Sequence, residues 1–540
     1  MVFIKTFGRT TIYANYSEQE LLRAKSEVLD NIVREILTNA SGIHAQNQLQ
    51  SNYLKNYYYG DQDIKNKVKH TREEINNKTV ENRAYAIVDF KKTYLLGKPI
   101  QYVQLNDAGE QEISKLNQYV RYENKKAKDM DLYEDVLVCG RGFRYINKDK
   151  KGNEDEAPFE IVNCPVENTE VVYSSKLGNE QLFAYIVTPM IYQYTETAEN
   201  GEIVTKNQDY NIYTCYFRNK VINYSDKNGD YERIKTKIIN DLGEQEEIDE
   251  IPLIWGEHTI IEYRLNRKRI SLIELGKDLL DDINYLESLD KDDLEQYVNA
   301  IMVFTNAEVS EQDLTDIKKL GAVCINSTEQ KKASVDLLQG KLNSTDTQIY
   351  YNRLLNALHQ ILAVPISSDT GTIQSGDTGK AKLTGQGFTS AGIRAEGDET
   401  MFGMSDFESL KIILSICRNT KDSGISNLKA SDIDTKFQRD MSDNLLVKTQ
   451  ALQTLYQCDI PRKFANSIVN LFGDSNAITN EQQKLFGDQV SQQNNGSQDN
   501  PTLNDEDNGS QDNPTLNEED KVNNQNNKVT NILERNEQGQ

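Results

Sequence analysis

Residues 272–304 read LIELGKDLLDDINYLESLDKDDLEQYVNAIMVF. Leu272, Leu275, Leu279, Ile283, Leu286 and Leu289 recur at steps of three and four, the spacing that lines one side of an α-helix. The other side carries Asp278, Asp281, Asp282, Glu287, Asp290, Asp292 and Asp293. The stretch therefore predicts one long amphipathic helix with an acidic face. Such a face is the ordinary way to keep one side of a helix in water. A wall that repels a polyanion is a special case of the same thing, so acidity alone does not separate the two.

C-terminal to this helix, residues 305–341 predict a small αβ insert, with VSEQDLTDIKKLG as a short helix and Ala322–Ile325 as a strand. A second amphipathic helix follows from about Asn343 to Val364, its apolar face formed by Ile349, Leu354, Leu358, Ile361 and Leu362. After Pro365 comes TGTIQSGDTGKAKLTG (370–385), a polar, glycine-rich loop that opens into a helical pattern over 379–420. Further helices are predicted at 442–457 and 460–472. From about 486 apolar residues nearly vanish, and NGSQDNPTLN occurs at 495–504 and again at 508–517. A tract of that composition buries too little apolar area to offset the entropy of ordering, so 486–540 predicts a disordered tail.

N-terminal to the long helix, residues 17–50 read as helical, with Ser17 and Glu20 in a capping-box pattern. The aromatic cluster in NYLKNYYYG (52–60) ends it and predicts packing between elements. Another helix runs to Leu96, where Gly97 and Pro99 stop it, and a strand follows over Ile100–Val103. Residues 112–138 are again helical. From Gly142 to about Ile261 the pattern changes to short alternating strands separated by turn signals. The fold class is therefore α+β, with antiparallel strands in the N-terminal half.

The net charge of −23 argues against a protein that grips nucleic acid, since phosphate binding is driven by Lys and Arg. It does not argue against one that nucleic acid slides through. No run of 18 apolar residues occurs, so no membrane span is expected, and MVFIKTFGRT lacks the features of a signal peptide. The six cysteines are scattered without a CxxC pair, and free thiols are expected.

Catalytic motifs fail on particular positions. Gly379-Lys380 suggests a nucleotide loop, but that motif needs GxxxxGK followed by Ser or Thr. Gln374 stands in place of the first glycine, Ala381 follows the lysine, and the preceding element is a helix rather than a strand. Gly140-Arg141-Gly142 precedes a strand and reads as a turn. His44, His70, His258 and His359 are far apart, with no metal-spaced neighbour. No enzyme, cofactor or metal site is expected.

The order of helical arm, α+β region, long helix, small αβ insert, long helix, polar loop and helical C-terminal part resembles the portal proteins of tailed bacteriophages, the SPP1-like portal family. The resemblance rests on NRAYAIVDFKKTYLLGKPIQY (82–102), the stretch at 272–304, and TIQSGDTGKAKLTG (372–385), and covers roughly residues 20–470. It implies an arm at 1–60, a wing at 61–270, a first stem helix at 271–304, a clip at 305–341 and a second stem helix at 342–364. It further implies a tunnel loop at 365–378, and a kinked helix with a helical crown at 379–485. The expected assembly is a homododecameric ring at one capsid vertex of the virion, formed in the host cytoplasm. Double-stranded DNA would pass through it during packaging and ejection, without sequence readout. The implied partners are the terminase, the major capsid and scaffolding proteins and the head-completion adaptor, with no membrane. The DNA-facing residues would be Thr370, Gly371, Thr372, Gln374, Ser375, Gly376, Lys380 and Lys382, with Asp278, Asp281, Asp282 and Glu287 as the acidic stem face. Thr-Gly-Gln-Gly at 384–387 departs from the family's continuous helix there. The competing readings are another structural virion protein, a scaffold or an adaptor, and a nucleotide-loop motor subunit.

Overall fold

The computed structural model describes residues 7–70, 73–105, 110–148, 156–197, 203–239, 245–298, 301–305, 334–338, 344–365, 388–421, 423–438, 445–458, 460 and 465. The chain divides into two compact units, Met1–Met441 and Ser442–Gln540. In the second, the described helix is Leu445–Gln457, within the stretch predicted helical.

The first unit is α+β. Its helices are α1 (Glu18–Arg23), α2 (Ser26–Tyr58), α3 (Arg83–Leu96), α4 (Glu110–Tyr122), α5 (Lys125–Cys139), α6 (Leu272–Val298), α7 (Ser344–Leu362) and α8 (Phe388–Asn419). The predicted N-terminal helix breaks at Ala24, whose backbone is extended. The capping box is present, with Ser17 N–H donating to Glu20 Oε2 at 2.7 Å. The stretch at 112–138 is two helices, because Asn124 takes a left-handed φ of 50° between α4 and α5. Gly140 ends α5 with φ 80°. A Cβ there would sit 2.1 Å from the Arg269 carbonyl oxygen, so only glycine fits.

The strands are β1 (Ile12–Ala14), β2 (Gln101–Gln104), β3 (Arg141–Lys148), β4 (Phe159–Cys164), β5 (Thr169–Ser174), β6 (Gln181–Thr197), β7 (Ile203–Tyr216), β8 (Lys220–Ser225), β9 (Glu232–Ile234), β10 (Thr236–Ile239), β11 (Gln245–Ile248), β12 (Ile251–Pro252), β13 (Ile260–Arg264), β14 (Ile301–Thr305), β15 (Ser334–Leu338) and β16 (Ile433–Lys436). The largest sheet runs β1-β5-β6-β7-β8-β12, with β9 on β8. A second runs β13-β3-β4, and β16 pairs with β2 across more than 300 residues of chain.

The expected helix over 272–304 ends at Val298, and Ile301–Thr305 is a strand paired antiparallel with Ser334–Leu338. Ile, Val and Thr are stiff at χ1 and fit a pleated ladder better than a helix end, which accounts for the switch. The strand expected at Ala322–Ile325 and the short helix before it lie outside the described residues.

Two hydrophobic cores share α2. Leu29, Val33, Ile36, Leu37 and Ala40 pack with Val172, Phe183 and Cys215 of the large sheet. One end further on, Leu54, Tyr57 and Tyr58 join a core made by α3 to α8, β3, β4 and β13. The aromatic cluster at the end of this helix is thus packing, with Tyr59 turned outward at 70% exposure.

Candidate functional site

The two helices that bracket residues 299–343 pack side by side. Gly276, near the start of α6, lies against Leu358 and Leu362, near the end of α7, so the two run antiparallel. A Cβ on Gly276 would come within 2.8 Å of Leu358 Cδ1, so a side chain there would have to displace the ends of Leu358 and Leu362. Leu354, Leu358 and Leu362 are buried, whereas Ile349 and Ile361, placed on the same face by the sequence, are 63% and 55% exposed. Ile349 borders an open groove with Asn352, Arg353, Asn356, Ala357 and Gln360.

The start of α6 is fixed by one carboxylate. Glu274 N–H donates to Ser271 Oγ at 3.0 Å and Ser271 N–H returns a bond to Glu274 Oε2 at 2.7 Å, a capping box. Glu274 Oε1 also accepts from Gly8 N–H at 3.2 Å and from the buried Arg9 guanidinium. The N-terminal segment is thereby tied to the helix.

Further along α6 the buried face turns polar. Asn284, Ser288 and Asp292, one turn apart, are 0%, 0% and 1% exposed. Each receives a backbone N–H from the segment preceding α3. Glu81 donates to Asn284 Oδ1 at 2.8 Å, Thr79 to Ser288 Oγ at 2.9 Å, and Asn77 to Asp292 Oδ1 at 2.6 Å. Asp292 Oδ2 also accepts from Lys67 at 2.9 Å and Lys69 at 3.3 Å. Burial pushes the Asp292 carboxyl up, but the bonds from Asn77, Lys67 and Lys69 outweigh it and bring its pKa to about 2. An extended strap of backbone is thus satisfied by side chains of the helix it crosses.

The acidic face divides accordingly. Asp278 and Asp282 are exposed. Asp281 is half-buried and accepts from Tyr57 Oη at 2.8 Å and Lys277 Nζ at 2.5 Å. Glu287 is half-buried, and burial first, then Glu81 and Asp290, raise its pKa. Asp292, on the acidic side by spacing, is buried. Thr370, Gly371, Thr372, Gln374, Ser375, Gly376, Lys380 and Lys382 lie outside the described residues.

The helix after that loop, α8, is anchored to the rest of the first unit by two carboxylates. Asp398 accepts from Tyr133 Oη at 3.0 Å and stands 4.0 Å from Lys91 Nζ. Asp406 accepts from Tyr102 Oη at 2.8 Å and pairs with Lys125 at 2.9 Å. Lys125 and Arg144 both bridge to Asp129, at 2.7 and 2.6 Å, and Tyr263 Oη meets Ser409 Oγ at 2.6 Å. Burial works to raise the Asp406 carboxyl, and Lys125 and Arg144 hold it below the ordinary range instead. Asp398, Phe402 and Asp406 follow at steps of four, so one face of α8 reads acid, aromatic, acid. Sequence reading missed both clusters. The steps of four were the available signal for each, but they do not identify partners so distant in the chain.

Among the described residues no group of three His, Cys, Asp or Glu is arranged to hold a metal, and no helix is long and apolar enough to cross a membrane.

The chain matches a known family over most of its length. The family described as phage portal protein, SPP1 Gp6-like, matches residues 42–495, and the chain belongs to it. It is similar to the portal protein of Bacillus phage SPP1, 21% identical over 314 residues, covering 57% of this chain and 56% of the relative. The chain thus spans about half the length of that relative. A solved structure described as the neck of an empty GTA particle, computed with C6 symmetry, aligns over 72% of this chain and 90% of its own at 10% identity and a TM-score of 0.37.

Proposed function

We propose that this chain is the portal subunit of a tailed bacteriophage, assembled as a homododecameric ring at one capsid vertex of the virion, with assembly in the host cytoplasm. The observation that carries the reading is the family match over 42–495 together with the antiparallel α6–α7 pair clasped at Gly276. In this reading residues 1–60 are an arm and 61–270 the wing, and α6 and α7 lie in the stem segments 271–304 and 342–364. The clip at 305–341 meets the terminase and later the head-completion adaptor. The loop at 365–378 faces the channel, and 379–485 form the helix beyond it and the crown. The major capsid and scaffolding proteins surround the ring.

Twelve helices spaced about 10 Å apart on a circle leave a bore of about 28 Å, wide enough for a duplex of roughly 20 Å. The exposed Asp278 and Asp282, with Asp281 and Glu287 beside them, repel phosphates and discourage sticking over a Debye length of about 8 Å. Lys380, Lys382 and the polar residues from Thr370 to Gly376 touch the backbone in passing, without base readout. The ring itself performs no catalysis and needs no cofactor; the terminase supplies the work.

Mass photometry of the purified chain tests the reading. A species of about 740 kDa, twelve times the 61.6 kDa subunit, is expected, and protein that stays at subunit mass at micromolar concentration contradicts it.

A further inference from the structure

The hairpin formed by β6 and β7 is longer than the sheet that contains it. The β5 ladder on β6 stops at the pair Thr169–Ile186, and the β8 ladder on β7 stops at Ile212–Ser225. From Met190–Tyr210 to Thr197–Ile203 the two strands pair only with each other among the described residues. Asp226 closes the sheet at this point, accepting from Asn211 N–H at 2.6 Å and from its Nδ2 at 2.9 Å. Beyond it stands a ribbon of eight residue pairs, about 27 Å long, with no further strand on either outer edge among the described residues. A two-stranded ribbon is marginally stable by itself in water, so this one gains from being covered.

Its two faces differ. Met190, Tyr192 and Tyr194 share one face with their partners Tyr210, Gln208 and Lys206. Tyr192 and Tyr194 stack at 6.1 Å, and Lys227 Nζ sits 3.1 Å from the centre of the Tyr192 ring. Met190 and Tyr192 are still 39% and 42% exposed, and Ile191 on the opposite face is 67% exposed. Thr188–Thr195 contains no charged residue, although 27% of the chain is charged. Tyrosine and methionine without carboxylates are the composition of an interface centre rather than of a solvated strand.

We propose that this aromatic ribbon face docks on the adjacent copy of the same chain. The proposal rests on the ring reading above. Charge selects the occupant. Two copies at −23 each repel over most of their surfaces, so a contact between them is favoured where one side presents a patch without carboxylates to the acidic surface of the other. The Met190–Tyr194 face is such a patch, and Lys227 over Tyr192 gives it the sign that an acidic neighbour attracts. A ring contact is heterologous, with a projecting element of one copy seated on a different surface of the next, and a ribbon reaching past its own sheet has that form. A face of a few side chains is smaller than a standard interface of about 800 Å² per partner, so it is one arm of a larger contact.

Two full-length variants test the inference beside the wild type. In one, Met190–Tyr210 is replaced by Asn-Gly, a two-residue turn between the directly paired Pro189 and Asn211. In the other, Tyr192→Asp and Tyr194→Asp are combined. Circular dichroism melting is expected to match the wild type, since these side chains lie outside both cores. By mass photometry over a dilution series, the concentration at which half the protein is in rings is expected to rise about tenfold or more in both variants. A smaller rise in either folded variant overturns the proposal. So do variant rings that assemble like the wild type but fail to enter procapsids, which would assign the face to a capsid protein. Wild-type protein that never forms rings removes the ring reading itself, and the proposal with it.

Discussion

Tyr102 and Asp406 are 304 residues apart in the chain and meet at 2.8 Å with both side chains buried. The contact places strand β2 against the middle of α8, the helix that follows the candidate channel loop. Removing the carboxylate leaves Lys125 and Arg144 buried with one fewer counter-charge. Asp406→Ala is therefore expected to cost about 3–5 kcal/mol, the range for breaking one side of a buried ion pair. Tyr102→Phe, which removes a single hydrogen bond to a charged group, is expected to cost about 1.5–3 kcal/mol. Urea unfolding of the two variants checks the order; equal losses would show that the charges do not govern this junction.

Gly276 lies where α6 and α7 touch. Gly276→Ala meets only the flexible ends of Leu358 and Leu362, so rotamer adjustment absorbs it. Gly276→Leu forces the helices apart, at about 1–3 kcal/mol for overpacking. Thermal unfolding should separate the two substitutions clearly. A tolerated leucine would mean that the helices are not held at this point.

Asp292 makes the strap over α6 sensitive to acid. Its folded pKa of about 2 lies below the ordinary Asp value of about 3.9. The stabilisation is therefore fully present above about pH 5 and is lost as pH falls through 4 toward 2; at neutral pH it is on the order of 2–3 kcal/mol. Asp292→Asn should be less stable than wild type at pH 7 and close to it near pH 2.5. Chemical denaturation at the two pH values measures this, and a gap that widens on acidification contradicts the account.

Thiol chemistry reports on the packing of the first unit. Cys139, Cys164, Cys215 and Cys417 are buried and Cys458 is exposed. Burial pushes the Cys139 and Cys164 thiols up to about 12, against reactivity. Alkylation of native protein at pH 7.5, followed by peptide mass spectrometry, should modify Cys458 well before these four. Rapid labelling of Cys139 would show that the junction of α5 with Arg9 and Ser51 opens.

Much of the fold was legible because local rules and burial agree. The step of Leu272, Leu279 and Ile283 marked α6, Ser17 with Glu20 marked the start of α1, and the short alternating runs between Gly142 and about Ile261 marked strands. The misjudged end of α6 shows the limit of periodicity. Ile301–Thr305 continues an apolar run, and its pairing with Ser334–Leu338 is set about 30 residues away. The polar ladder Asn284, Ser288 and Asp292 reads as a solvated face until the strap that covers it is known. The anchoring of α8 depends on Tyr102, Tyr133 and Tyr263, which no local pattern connects to Asp398 and Asp406.

Copies of this chain are expected to close into a ring around a channel, and end-on electron microscopy of the purified chain shows whether they do. The account predicts rings of twelve with a central opening of about 28 Å, wide enough for a DNA duplex. Compact particles without an opening, or rings whose hole is narrower than a duplex, would contradict it.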